Sequence, residues 1–129
     1  MDRQRAQFQT VSRLRSYIRS HGRRCPPVDV VMCVIGIAPL PYGRGRCYTL
    51  FDSVTAAVDV PYIGEALSKL TSDEQGCFVF KLHVYDHFMA ENDVGVMPGA
   101  IVVVAGVTRL AEFRGVCFGT ATIANVFNE

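Results

Sequence analysis

Residues 28–38 read VDVVMCVIGIA, apolar or β-branched almost without a break. Such a run forms a strand that is covered on both faces or lies in a closed barrel. Pro26-Pro27 precedes it, in a linker that cannot be helical. Pro39, Pro41, Gly43 and Gly45 interrupt it. A chain of 129 residues is enough for one domain. At this size it buries roughly two-thirds of its unfolded surface and needs no metal or disulfide staples.

Further strands follow. Residues 46–54 form a second one, ending near Asp52-Ser53. Residues 61–71, PYIGEALSKLT, predict a short helix with Leu67 and Leu70 inward, and SDEQG predicts a turn. Residues 77–88, CFVFKLHVYDHF, alternate most clearly: Phe78, Phe80, Leu82 and Val84 against Lys81, His83, Tyr85 and His87. Residues 89–98 read as a mobile or helical connection. Residues 100–108 are a buried strand opened by MPG, 109–115 a hairpin-length link, and 116–124 a last strand with Phe118, Thr120 and Thr122 on one face. Gly36 and Gly106, in mid-strand, suit bends at barrel corners.

Ahead of these strands, residues 3–20 predict a helix with Phe8, Val11, Leu14 and Ile18 on one face, stopped by His21-Gly22. The order is two strands, a helical insertion, a long third strand, a connection and a closing hairpin. It matches an OB-fold: mainly β, a five-stranded, partly open barrel, here with an N-terminal amphipathic helix and a helix-containing insertion between strands 2 and 3. The expected organisation is a basic helix and linker over 1–27 and an OB-fold domain over 28–129.

Charge is unevenly placed. Residues 1–24 hold seven arginines against Asp2 alone, a surplus of six, whereas the remainder has six basic and eleven acidic side chains. The whole-chain charge of +1 hides a basic arm on a mildly acidic body. The five cysteines, Cys25, Cys33, Cys47, Cys77 and Cys117, are odd in number and include no CxxC pair, which suits free thiols in a reducing compartment. No apolar run approaches the length of a transmembrane helix, so no membrane partner is expected.

No enzyme signature is present. The GRGR at 43–46 lacks the Lys-Ser/Thr of a phosphate loop, and no helix follows it. No serine lies in a GxSxG context. His83 and His87 share a strand face but are about 13 Å apart at that spacing, too far to chelate one ion. A non-catalytic protein without metal or cofactor is the expectation.

The candidate site is a surface. In an OB-fold nucleic acid lies on the face of strands two and three. There Lys81, His83, Tyr85 and His87 combine charge, imidazole and an aromatic ring, where bases can stack while cations follow the backbone. Tyr42, Arg44 and Arg46 have the composition of a clamp at the mouth of that groove, and the neighbouring glycines let a phosphate approach closely. Arg109, Phe113 and Arg114 repeat the mix in the last hairpin, at the opposite rim. The bland alternatives are a solvated sheet face and turns carrying solubilising arginines.

Residues 28–54, VDVVMCVIGIAPLPYGRGRCYTLFDSV, resemble the start of the telomeric single-strand-binding OB domain, the family of protection-of-telomeres and telomere end-binding alpha proteins. There an apolar first strand runs into a Pro-containing loop, and the second strand ends in an Asp like Asp52. Residues 97–124 are similar to the family's closing hairpin, with Gly99-Ala100-Ile101-Val102 where Gly-Asp-Ile-Val is usual. Ala100 and the insertion over 55–76 depart from the pattern. The resemblance implies single-stranded DNA, or RNA, in the groove and a nuclear protein that is a subunit of a complex. Two other readings stand beside it. The domain could be a protein-interaction scaffold, with a partner on helix 3–20, in a telomeric or RNA-processing complex. Residues 1–24 are also Arg-rich, amphipathic and acid-poor, the marks of a mitochondrial transit peptide, which would make this a mitochondrial RNA-editing-type OB protein.

Overall fold

β-Branched runs broken by Gly and Pro do form the barrel. The computed structural model describes residues 5–41, 45–53, 59–85 and 96–129. In chain order these hold β1 (Gln7–Phe8), α1 (Val11–His21), β2 (Val28–Pro39), β3 (Gly45–Asp52), α2 (Val60–Ser68), α3 (Ser72–Gln75), β4 (Phe80–Tyr85), β5 (Ile101–Phe113), β6 (Val116–Thr122) and β7 (Val126–Asn128). Five strands run in the order β2-β3-β4-β6-β5, and β5 returns to pair with β2, closing the barrel. All these pairs are antiparallel except β4 with β6. This is the OB-fold order, with α2 and α3 inserted between the second and third barrel strands.

β2 and β5 are long enough to pair on both sides, and both bend. The β2–β3 register shifts between Val34 and Gly36. β5 bends at Gly106, whose φ of 66° is unfavourable for a side-chain-bearing residue. Asp29 holds that bend: one carboxylate oxygen accepts from the Gly106 N–H at 2.9 Å and from Arg5 Nε at 2.7 Å. β1 pairs with β2 just past the point where β3 runs out, since Phe8 lies opposite Val30 and Asp52 opposite Met32. β7 covers β5 at Val102–Val104.

The inward residues alternate as the pleat requires: Val28, Val30, Met32 and Val34 on β2, Tyr48 and Leu50 on β3, Phe80, Leu82 and Val84 on β4. Val11, Leu14 and Ile18 of α1 join this same core and are fully buried, so α1 is packed onto one end of the barrel. Two polar contacts fix its position. Asp52, at the end of β3, accepts from the Val11 N–H at 2.7 Å, placing a carboxylate on the helix N-terminus. Arg19 grips Glu112 of β5 in a bidentate pair at 2.6 and 2.8 Å.

Several expectations need correction. The helix begins at Val11, not residue 3, and Phe8 sits on a strand. Thr10 is extended at φ −127°, ψ 143°, and the pairing of Gln7–Phe8 with Asp29–Val30 competes successfully with helix. SDEQG is not a plain turn: Ser72–Gln75 is one helical turn closed by a capping box between Thr71 and Glu74. β4 begins only at Phe80, so Phe78 lies in the preceding turn and is 46% exposed instead of facing inward. β5 runs on to Phe113, and the link over 109–115 shrinks to a two-residue turn at Arg114-Gly115. Both turn residues have positive φ, 52° and 82°, the type I′ geometry that matches strand twist. Of the two places expected for the apolar stripe of α1, the barrel or a partner, the stripe takes the barrel.

Truncating Leu14 to Ala is expected to cost about 2–5 kcal/mol in urea unfolding, because α1 is part of the core. A helix held only by its linker would give almost no change. A second expectation concerns acid. Arg19 holds the Glu112 carboxyl below the ordinary carboxylate range, against a smaller opposing effect of burial. The stability from this pair is therefore complete above the unfolded-state value and is lost as pH falls through the lower folded-state value. Glu112→Gln should flatten that acid limb of the stability–pH curve and leave the slope near neutrality little changed.

Candidate functional site

Register decides which side chains share the outer wall. Opposite residues on β3, β4 and β6 fall into rows: Thr49–Lys81–Phe118, Cys47–His83–Thr120 and Gly45–Tyr85–Thr122. All point away from the core, because Tyr48, Leu50, Leu82 and Val84 between them point in. Lys81 Nζ donates to Thr49 Oγ1 at 2.7 Å. The His83 ring meets Phe118 edge-on, with centroids 5.6 Å apart. Tyr85 is 39% exposed at the far end. Burial, and then the Lys81 charge, hold the His83 imidazole below its usual value of 6.5. At neutral pH His83 therefore brings a ring to this face rather than a charge.

The insertion covers the rest of the wall. Val60, Ile63 and Leu67 of α2 pack over Cys33, Ile35, Phe51, Val79 and Val116, with Phe118 at the margin of this second apolar cluster. The hairpin turn between β5 and β6 is pinned by α3. Ser72 Oγ donates to the Arg114 carbonyl at 2.7 Å, and Gly76 lies so close to the Gly115 carbonyl that a methyl group there would collide with it.

The residues singled out by sequence separate into groups. Lys81, His83 and Tyr85 lie together on the outer face. Arg46 does not: it pairs with Val84 and Pro39, on the inward register at the barrel rim. Phe113 and Arg114 stand at the end of the face where β4 begins, with the Arg114 guanidinium 5.2 Å from the Phe113 ring centroid. Phe113 is 63% exposed. Arg109 sits at a β5 bulge with φ 53°, and β6 stands between it and β4. Tyr42, Arg44 and His87 lie outside the described residues.

Thr49, Cys47 and Phe118 also belong to the face, although nothing in their local sequence marks them for it. The alternation of Phe118, Thr120 and Thr122 is visible in the sequence; that β6 lies parallel to β4, in a register setting Phe118 beside Lys81, is not. All five cysteines are free. Burial raises the thiols of Cys33 and Cys47 above their usual value, and that of Cys117 to about 11. Among the described residues no cluster of His, Cys, Asp and Glu could hold a metal ion, and no helix is long and apolar enough to cross a membrane.

No protein-family model and no curated protein matches this chain. Among solved structures it is similar to Pot1pC of Schizosaccharomyces pombe bound to single-stranded DNA (CGGTTACGGT), with 15% identity and a TM-score of 0.45, covering 75% of this chain and 68% of that one. It is also similar to the OB domain of Ta0387 from Thermoplasma acidophilum, with 12% identity and a TM-score of 0.42, covering 87% of this chain and 83% of that one. The OB-fold rests on this chain's own strand pairing, and neither likeness adds to it.

The depressed imidazole gives a direct expectation. In an NMR titration His83 should lose its proton below the usual value of 6.5, and Lys81→Met should move its midpoint up while leaving it depressed, since burial persists. Because the unfolded chain binds this proton more readily, stability should rise with pH through the window just below 6.5.

Proposed function

We propose that this protein binds single-stranded nucleic acid on the outer face of β3, β4 and β6, without catalysis. The observation that carries the reading is the juxtaposition on one wall of a cation, Lys81, the His83–Phe118 ring pair and the exposed ring of Tyr85. Rings of this kind take bases in stacking contacts worth about 1–3 kcal/mol each. Cations neutralise phosphates, so affinity falls as salt rises. The wall is the one on which OB-folds carry oligonucleotides. Telomeric single-stranded DNA is the first ligand to try, on the resemblance of residues 28–54 and 97–124 to that family. A nuclear location and membership of a complex follow from the same reading.

A protein-interaction role keeps one supporting observation, the exposure of Tyr62 and Met97, at 69% and 68%. It draws no support from α1, whose apolar stripe is buried.

Fluorescence anisotropy with labelled DNA and RNA oligonucleotides is the test. At low salt, binding near micromolar is expected. Tyr85→Ala should weaken it by about 1–3 kcal/mol, the worth of one stacked base. No binding by either polymer at low salt would overturn the reading.

A further inference from the structure

Arg15 and Arg19 of α1, four residues apart, share a helix face beside the buried stripe of Val11, Leu14 and Ile18, and Arg23, in the turn after the helix ends at His21, continues their row. The stripe faces the β5–β6 hairpin. Arg15 Nη1 lies 3.0 Å from Cys77 Sγ, next to the Gly76–Gly115 contact that pins the hairpin turn. Arg19 holds Glu112. Arg23 lines a cleft of about 330 Å³ floored by Ile18, Leu110 and Ala111.

The charges around this cleft do not balance. Arg19 and Arg23 line it, with Arg24 next in the chain, against the single lining carboxylate of Glu112. Glu112 is already neutralised by Arg19. Arg23 and Arg24 are exposed and have no carboxylate partner among the described residues. The floor is aliphatic and carries no ring. It offers nothing on which a base could stack, but guanidinium groups in such a row suit successive phosphates.

We propose that this stripe is a second anion track, which carries the phosphodiester backbone of a strand as it leaves the sheet face over Phe113 and Arg114. The inference rests on the sheet face being a nucleic-acid interface and adds a direction to it. The strand runs from Tyr85 past Lys81 to the hairpin, then along α1 toward Arg23 and Arg24. Bases are read on the sheet, and only backbone charge is held on the helix.

The experiment compares oligonucleotides of about six and about fifteen nucleotides, both within the site sizes of OB-folds. Binding of each is measured across a salt series, with the full chain and with Arg23→Ala/Arg24→Ala. The long oligonucleotide should bind more tightly and with a steeper salt dependence. The double variant should lower its slope by about 0.7 for each phosphate no longer neutralised, and leave the short oligonucleotide unchanged. Arg13→Ala, off the stripe on the same helix, should leave both unchanged. Equal slopes for the long oligonucleotide with and without Arg23 and Arg24 would overturn the track while leaving the sheet-face reading standing. Failure of both lengths to bind would overturn both. A polyglutamate peptide bound through Arg23 and Arg24 when the long oligonucleotide is not would assign the stripe to an acidic protein, and likewise overturn it.

Discussion

β2 and β5 pair along Val28–Cys33 and Ile101–Val107, and this one ladder converts a curled sheet into a closed barrel. Closure requires both strands to bend, and Asp29 sets the second bend by accepting from the Gly106 N–H while Arg5 compensates its charge. With the barrel closed there is an inside, and the alternation of every strand acquires a meaning. Val30, Leu50, Leu82 and Val104 go in; Thr49, Lys81 and His83 go out. α1 completes the core by bringing Leu14 and Ile18 to one end. Its docking depends in turn on the same closed geometry, through Asp52 at one end of the helix and Glu112 near the other.

The outer wall is divided between two jobs. One part is packed under α2, which uses Ile63 and Leu67 to cover Ile35 and Phe51. The other part keeps Lys81, His83 and Tyr85 at the surface. Phe118 lies at the border and belongs to both, touching the apolar cluster and the His83 ring. α2 therefore has a structural role, because it covers an apolar wall that would otherwise face water. The rigid contact of α3 with the hairpin turn has a similar consequence, holding Phe113 and Arg114 at a fixed edge of the exposed part.

Much of this is legible from residue order. The alternation in residues 77–88 sets Lys81, His83 and Tyr85 on one face, and glycines mark both bends. Departures fall at the ends of elements, where local preference is weak. Phe8 has the spacing of a helix face but lies in a strand, because β2 offers it a ladder beyond the end of β3. Arg109 has the neighbours of a loop residue but sits at a bulge in a strand that continues to Phe113. Arg46 adjoins the loop in sequence and belongs by register to the inward side.

The sequence by itself determined that this chain is mainly β, that its strands come in the OB order, and that an arginine-rich amphipathic helix precedes them. These follow from periodicity and from Gly and Pro positions, which are local. Only tertiary structure decided where the apolar face of that helix goes, and that β6 lies beside β4 with Phe118 against His83. It alone aligned Arg15, Arg19 and Arg23 with the β5–β6 hairpin. The physical reason is that register and docking depend on partners far apart in the chain, chosen by complementarity of whole faces rather than by any one segment's own preference.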